Sequence, residues 1–233
     1  MNTKIKWTKD KIFSVSLLAV SAILITVTSI MFDKRDLFQR TILTLPLYVS
    51  LVVGLLQSQA NRFSYLLGGI NCIIYSVAYF LLGLYATAFS TLLFYFPIQL
   101  VTFWRWSKSS YKRSTEFRSL KTIHWVLGGI VFVICFSVLH FVLKAAEGNY
   151  PFLDNLATMV SLSVLFLSLF RFREYSFLMP VTCIVNFTLF FVMVLDDPAQ
   201  MPYLIYSINS LICVVMQFFS VRKLYKEQTQ KSA

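Results

Sequence analysis

Eight runs of about 20 mostly apolar residues, parted by short polar segments, make up nearly the whole chain. No soluble core of this size hides so much apolar surface: 58% of the 233 residues are hydrophobic, where soluble domains run at roughly 45–50%. Lipid is therefore the solvent. Because bilayer hydrocarbon offers the backbone no water, each run must close its own hydrogen bonds as a helix. The spans are expected at Ile12–Met31, Thr41–Ser58, Phe63–Leu84, Ala86–Trp104, Trp125–Leu143, Leu153–Phe170, Ser176–Leu195 and Met201–Val221, with a tight hairpin at Tyr85. The expected fold class is an all-α membrane protein of eight transmembrane helices, with no soluble domain, linker or low-complexity tract.

The formal net charge of +11 would suit nucleic acid in a soluble protein, but its placement says otherwise. Lys4, Lys6, Lys9, Lys11, Arg62, Arg105, Lys108, Lys112, Arg113, Arg118, Lys121, Arg171, Arg173, Arg222, Lys223, Lys226 and Lys231 all fall on alternate segments. Lys34, Arg35, Arg40 and Lys144 alone fall on the others. Basic segments resist translocation, so both termini are expected in the cytoplasm of a multi-pass plasma-membrane protein. No separate basic domain exists for nucleic acid. The first span is longer than a secretory apolar region of about 7–15 residues, and Asp33-Lys34-Arg35-Asp36 follows it in place of a cleavage site. It reads as a retained helix. Cys72, Cys135, Cys183 and Cys213 each lie inside a span without CxxC spacing, and packing accounts for them.

The chain also echoes itself. Phe63–Trp104 and Tyr175–Phe219 each hold two spans joined by a short turn. Gly69-Ile70-Asn71 is echoed by Cys183-Ile184-Val185-Asn186, and Thr91-Leu92-Leu93-Phe94 by Tyr203-Leu204-Ile205-Tyr206. With the preceding helix added to each, residues 41–104 and 153–221 form two triplets, residues 125–143 link them, and residues 12–31 stand before them as an extra helix. An odd crossover helix makes the triplets run in the same direction, a parallel 3+1+3 repeat of the SWEET kind about an axis along the membrane normal.

Catalytic signatures are missing: there is no GxxxxGK[ST], HExxH or GxSxG, so neither enzyme chemistry nor a cofactor or metal is expected. His124 and His140 sit near interfaces, where solvation or a hydrogen bond accounts for them. Asp154, Asp196 and Asp197 fall at helix ends, where capping or loop solvation does the same. An ion-coupled pump keeps a carboxylate or histidine at depth; without one, facilitated diffusion is the expected mechanism. What lies at depth is neutral: Asn71, Tyr75, Tyr95, Gln99, Asn186, Tyr206, Asn209 and Gln217. An unpartnered amide in hydrocarbon costs several kcal/mol, so these groups must face each other, water or a solute. Amides suit sugar hydroxyls or a carboxamide, and aromatic faces suit a flat heterocycle or delocalised cation. Pro97 and Pro180, inside spans, can bend or hinge their helices.

The sequence resembles the PnuC vitamin transporters from about Thr41 to Val221. Three segments carry the resemblance: Phe63-Ser64-Tyr65-Leu66-Leu67-Gly68-Gly69-Ile70-Asn71 with Leu84-Tyr85-Ala86-Thr87, then Phe103-Trp104-Arg105-Trp106, then Tyr150-Pro151-Phe152-Leu153-Asp154. The resemblance implies the 3+1+3 fold, energy-independent uniport of nicotinamide riboside, trapping of the cargo by a cytoplasmic kinase, and a homo-trimer. The family's Trp-x-x-Trp-x-x-x-Asn run in the seventh span reads here Met179, Thr182 and Asn186, so only the amide persists. The amide expected late in the fourth span is Gln99; its counterpart in the eighth falls on Ile212, with Asn209 nearly a turn earlier. Phe187, Tyr95 and Tyr206 are the aromatics that can replace the missing rings. Otherwise the cargo differs, and relatives of the family carry thiamine, riboflavin and deoxynucleosides. The expected substrate-binding set is Asn71, Tyr75, Tyr95, Gln99, Asn186, Phe187, Tyr206 and Asn209. A membrane sensor or assembly subunit that does not transport is the competing class.

Overall fold

The computed structural model describes residues 9–112, 114–146 and 149–232; Lys4, Lys6 and Arg113 of the charge pattern lie outside them. Among the described residues eight helices are long and apolar enough to cross a membrane. They are α1 (Lys9–Phe32), α2 (Leu37–Ser58), α3 (Phe63–Leu81), α4 (Tyr85–Lys108), α5 (Thr122–Ala145), α6 (Pro151–Leu169), α7 (Tyr175–Asp196) and α8 (Met201–Ser232). Helix α2 packs on α3 and α8, α3 on α4, α4 on α6, α6 on α7 and α7 on α8, while α1 lies against α8 and α2. Helix α5 leans chiefly on α6, and Leu143 is its buried residue. Cys135, expected to pack, is exposed on α5, whereas Cys72, Cys183 and Cys213 are buried.

Several helix ends lie a few residues from expectation, α2 starting at Leu37 and α4 ending at Lys108 among them, and two differences have structural causes. Helix α8 continues well past Val221 because Arg222–Gln230 is a good helix-forming stretch tied to a small hairpin, β1 (Ser110–Tyr111) and β2 (Ser114–Thr115). Gln228 donates to Thr115 O at 2.8 Å and accepts from Phe117 N at 3.0 Å, and Lys112 pairs with Glu227. The turn between α3 and α4 is centred on Gly83, not Tyr85. Gly83 adopts φ +72°, and a Cβ there would meet Asn149 Nδ2 at 2.3 Å, the same amide that donates to Leu82 O at 3.0 Å. Left-handed backbone and contact both oppose a side chain. Gly83→Ala is expected to cost about 1–3 kcal/mol, read as a lower unfolding temperature of the purified protein.

Helix α4 contains a π-helical turn at Thr91–Tyr95, where Phe96 N reaches back to Thr91 O. Pro97 supplies the reason: it has no N–H for the carbonyl four residues back, and its ring crowds that carbonyl. The wider turn relieves the crowding and rotates Tyr95 relative to the residues before it.

Of the two roles expected for Asp154, capping and loop solvation, the structure shows capping, and the helix it caps is not its own. Asp154 is 2% exposed and caps α4 from α6, accepting from Ala86 N at 2.9 Å, from Thr87 N at 3.1 Å and from the Thr87 hydroxyl. The Thr87 and Thr158 hydroxyls are 3.0 Å apart. Two of the segments that carried the resemblance, Leu84–Thr87 and Tyr150–Asp154, thus meet in space. Asp196 accepts from the Tyr150 hydroxyl at 2.7 Å, and Asp197 accepts from Ala199 N at 3.0 Å.

Apolar clusters fill the bundle on both sides of its middle. Towards the end rich in Lys and Arg, Tyr65, Trp106, Phe117, Val164, Tyr175 and Val221 pack together, and the fully buried Trp106 donates Nε1–H to Ser168 O at 2.9 Å. Towards the opposite end the cluster includes Leu43, Leu47, Ala78, Leu84, Leu189, Met193 and Tyr203.

Candidate functional site

A cavity of about 100 Å³ lies where α3, α7 and α8 converge, lined by Tyr75, Tyr79, Cys183, Asn186, Phe190, Tyr206, Ser207 and Ser210. The lining follows helical geometry. Residues three or four apart share one face, so Tyr75 brings Tyr79, Asn186 brings Cys183 and Phe190, and Tyr206 brings Ser210. The Tyr75 and Tyr79 rings are stacked, with centroids 5.0 Å apart and planes 11° apart. The Tyr75 hydroxyl is buried and has no hydrogen-bond partner in the protein. Asn186 is half-buried, and among the described residues its amide bonds to no neighbour. Cys183 Sγ lies 3.5 Å from Ser210 Oγ. No lysine, arginine, histidine or acid lines the cavity.

Of the residues expected to bind substrate, the structure brings Tyr75, Asn186 and Tyr206 to the cavity and leaves the others off its walls. Asn71 is spent on α2: its Nδ2 donates to Pro46 O and to Ser50 Oγ, both at 2.9 Å. Tyr95 donates to Thr158 O at 3.2 Å across the α4–α6 seam. Gln99 donates to Cys72 Sγ at 3.5 Å, and it fits because Gly68 has no Cβ, which would fall 2.3 Å from Gln99 Oε1. Phe187 stacks on Phe191 at 6.1 Å. Asn209 turns towards the extra helix α1, where it accepts from Ser21 Oγ at 3.1 Å beside a second, water-sized void. Gln217, on the same α8, donates to the Tyr175 hydroxyl at 3.1 Å.

Tyr79, Cys183, Phe190, Ser207 and Ser210 were missed. Tyr79, Cys183, Phe190 and Ser210 sit a turn away from residues that were named, so the signal was helical spacing. Asn209→Ala removes Ser21's acceptor and is expected to cost about 1 kcal/mol of stability while leaving the cavity's chemistry untouched. Thermal unfolding with and without cargo reads both effects.

The cavity can hold a neutral or cationic solute that offers donors and acceptors beside a flat face. A phosphate would find no counter-charge on its walls, and no group there can act as a nucleophile's base.

A family model described as nicotinamide mononucleotide transporter matches residues 41–223 of the chain. The solved structure titled "Crystal structure of the Vitamin B3 transporter PnuC" is similar in fold at a TM-score of 0.77, with 21% identity over 95% of this chain and 94% of that one. No curated protein matches the chain.

Proposed function

Because the chain belongs to the nicotinamide mononucleotide transporter family, a family of membrane transporters and not of enzymes, we propose that it carries a nucleoside-like vitamin, nicotinamide riboside first, by facilitated diffusion. The observation behind this reading is the Tyr75 hydroxyl, buried without a partner beside the open amide of Asn186 in a cavity without charge. Ribose hydroxyls and a carboxamide match those groups, and the faces of Tyr75 and Tyr79 suit a pyridinium, a contact worth about 0.5–2 kcal/mol. They take the part of the missing tryptophans. The uncharged walls favour the riboside over its phosphorylated form.

The repeat reading finds support in the packing: α2 of one triplet lies on α8 of the other, and α4 lies on α6, first helix against third in both pairs. At about 100 Å³ the cavity is smaller than the roughly 300–1,000 Å³ of sites that hold drug-sized ligands. Its walls must part to admit a nucleoside, as alternating access of the two triplets requires. Under this reading the end rich in Lys and Arg is cytoplasmic, a kinase there traps the cargo, and α5, bare on most faces, is available to a homo-trimer.

Thermal stabilisation of the purified protein by nicotinamide riboside, nicotinamide mononucleotide, thiamine, riboflavin and deoxynucleosides tests the cargo, because a ligand stabilises in proportion to the logarithm of its concentration over Kd. Nicotinamide riboside is expected to stabilise and its mononucleotide not. A shift with thiamine, riboflavin or a deoxynucleoside alone would move the cargo within the family. Uptake into liposomes then separates a carrier from a sensor, which binds without filling the vesicle. In the same assay Pro97→Ala, which restores a donor next to the π-turn, is expected to slow turnover severalfold while the ligand-induced shift persists. Full-speed uptake would make Pro97 a static kink.

A further inference from the structure

Three arginines at the basic end are drawn together without a carboxylate partner. Arg118 N donates to Arg171 O at 2.8 Å and Arg173 N to Arg118 O at 2.9 Å, a parallel bridge that sets the loop before α5 beside the α6–α7 turn. Arg171 itself holds φ +65°, a conformation a residue with a Cβ adopts at a cost unless its surroundings enforce it. Arg105, at the end of α4, lies over the ring of Phe170 at 5.2 Å, next in sequence to Arg171. The guanidinium of Arg171 has its pKa lowered, first by burial and then by Arg118, with Arg105 a smaller cause in the same direction. Among the described residues none of them forms an ion pair, whereas Arg173 pairs with Glu174 and Lys112 with Glu227. Glu116 is the one acid with a favourable effect on Arg171, and it too forms no ion pair.

The surroundings are those of a membrane interface. Trp104 is 70% exposed, the aromatic position typical of the headgroup level, and Phe170 and Trp125 are also exposed large apolar side chains. Helix α5 starts close by, with the His124 ring 6.3 Å from that of Phe172, yet α5 barely touches α4. Exposed apolar side chains of α4, α5 and the end of α6, Trp104, Trp125 and Phe170, therefore adjoin the arginines.

We propose that Arg105, Arg118 and Arg171 form a binding site for the phosphate of an anionic phospholipid, whose acyl chains lie along the exposed apolar side chains of α4 and α5 beside them. Guanidinium suits this role because its planar fork matches phosphate oxygens in pairs and is weakly hydrated. A bound phosphodiester offsets the repulsion that Arg118 and Arg105 exert on Arg171 and ties α4, the loop before α5 and the α6–α7 turn to one group. Basic pockets of this kind between helices hold anionic headgroups selectively over zwitterionic ones.

The test uses the full chain in detergent, with phosphatidylglycerol, phosphatidylcholine or inorganic phosphate added and unfolding temperature read. Phosphatidylglycerol is expected to raise it, phosphatidylcholine to leave it, and phosphate alone to do far less. Arg105→Gln/Arg118→Gln, both at exposed positions, keeps the fold and is expected to weaken the apparent affinity for phosphatidylglycerol by at least about tenfold. Adding Arg171→Gln abolishes the shift. Lys223→Gln/Lys226→Gln removes two charges from the same end and leaves the shift intact. The proposal is overturned if phosphatidylcholine matches phosphatidylglycerol, if the arginine variants keep the shift, or if the lysine variant loses it equally. Stabilisation by inorganic phosphate as strong as by the lipid would overturn the lipid assignment in favour of a soluble phosphate.

Discussion

Asp154→Ala is expected to destabilise the protein by about 2–4 kcal/mol and to abolish most uptake. The carboxylate is buried, and its removal strands two backbone N–H groups of α4 at once and leaves the Thr87 hydroxyl with Thr158 as its remaining partner. Each buried donor left unmade costs about 1–3 kcal/mol, less what local relaxation recovers. The charge also faces the first turn of α4, where the exposed N–H groups and the helix dipole favour an anion. Asp154→Asn keeps the shape and one acceptor oxygen but loses the charge, so about half the penalty is expected. Transport suffers beyond stability because the capped turn leads directly into the π-turn and to Tyr95, whose hydroxyl bonds α6 one turn from Asp154. The measurement is thermal unfolding in detergent alongside liposome uptake for both substitutions. Wild-type unfolding and uptake by Asp154→Ala would show that the α4–α6 seam does not depend on the carboxylate.

Asp154 also marks the border of what the sequence reveals. The eight spans were legible because long apolar runs admit one solution in lipid, and their existence needs no knowledge of their neighbours. The cap of α4 was not, because it comes from 68 residues along the chain and a lone Asp near a helix start reads as that helix's own cap. Facing is harder still. A membrane helix is apolar all round, so its pattern does not say which side meets lipid and which meets protein, and only packing decides. Asn209 and Tyr206 lie within one turn of α8, yet one turns to Ser21 on α1 and the other to the cavity. Asn71 resembled a site residue by type and depth. Pro46, whose carbonyl it binds, sits on a helix with no sequence tie to α3. Where helical spacing did bear on facing, as from Tyr75 to Tyr79 and from Asn186 to Phe190, the missing wall of the cavity was recoverable from residues already singled out.

Asn186→Ala, and separately Tyr75→Phe, are expected to weaken cargo binding while leaving the empty protein as stable as before. Whereas Tyr95, Gln99 and Asn209 are each committed to a hydrogen bond, Asn186 bonds to no neighbour among the described residues and the Tyr75 hydroxyl completes no hydrogen bond within the protein. Their polar atoms contribute little to folding, so what they contribute to a ligand is nearly all that a substitution removes. A ligand group deprived of its partner in a water-poor cavity loses about 1.4–2.8 kcal/mol, a tenfold to hundredfold rise in Kd. Tyr75→Phe keeps the ring stacked on Tyr79 and isolates the hydroxyl; Tyr79→Ala removes the platform and is expected to hurt a cationic heterocycle more than an uncharged nucleoside. Titration calorimetry on each variant with nicotinamide riboside and a deoxynucleoside reads these differences directly. Asn209→Ala supplies the opposite pattern, a less stable protein with unchanged affinity, since its amide is committed to α1. Loss of affinity in Asn209→Ala together with wild-type affinity in Asn186→Ala would move the cargo's path out of this cavity and towards the α1–α8 groove.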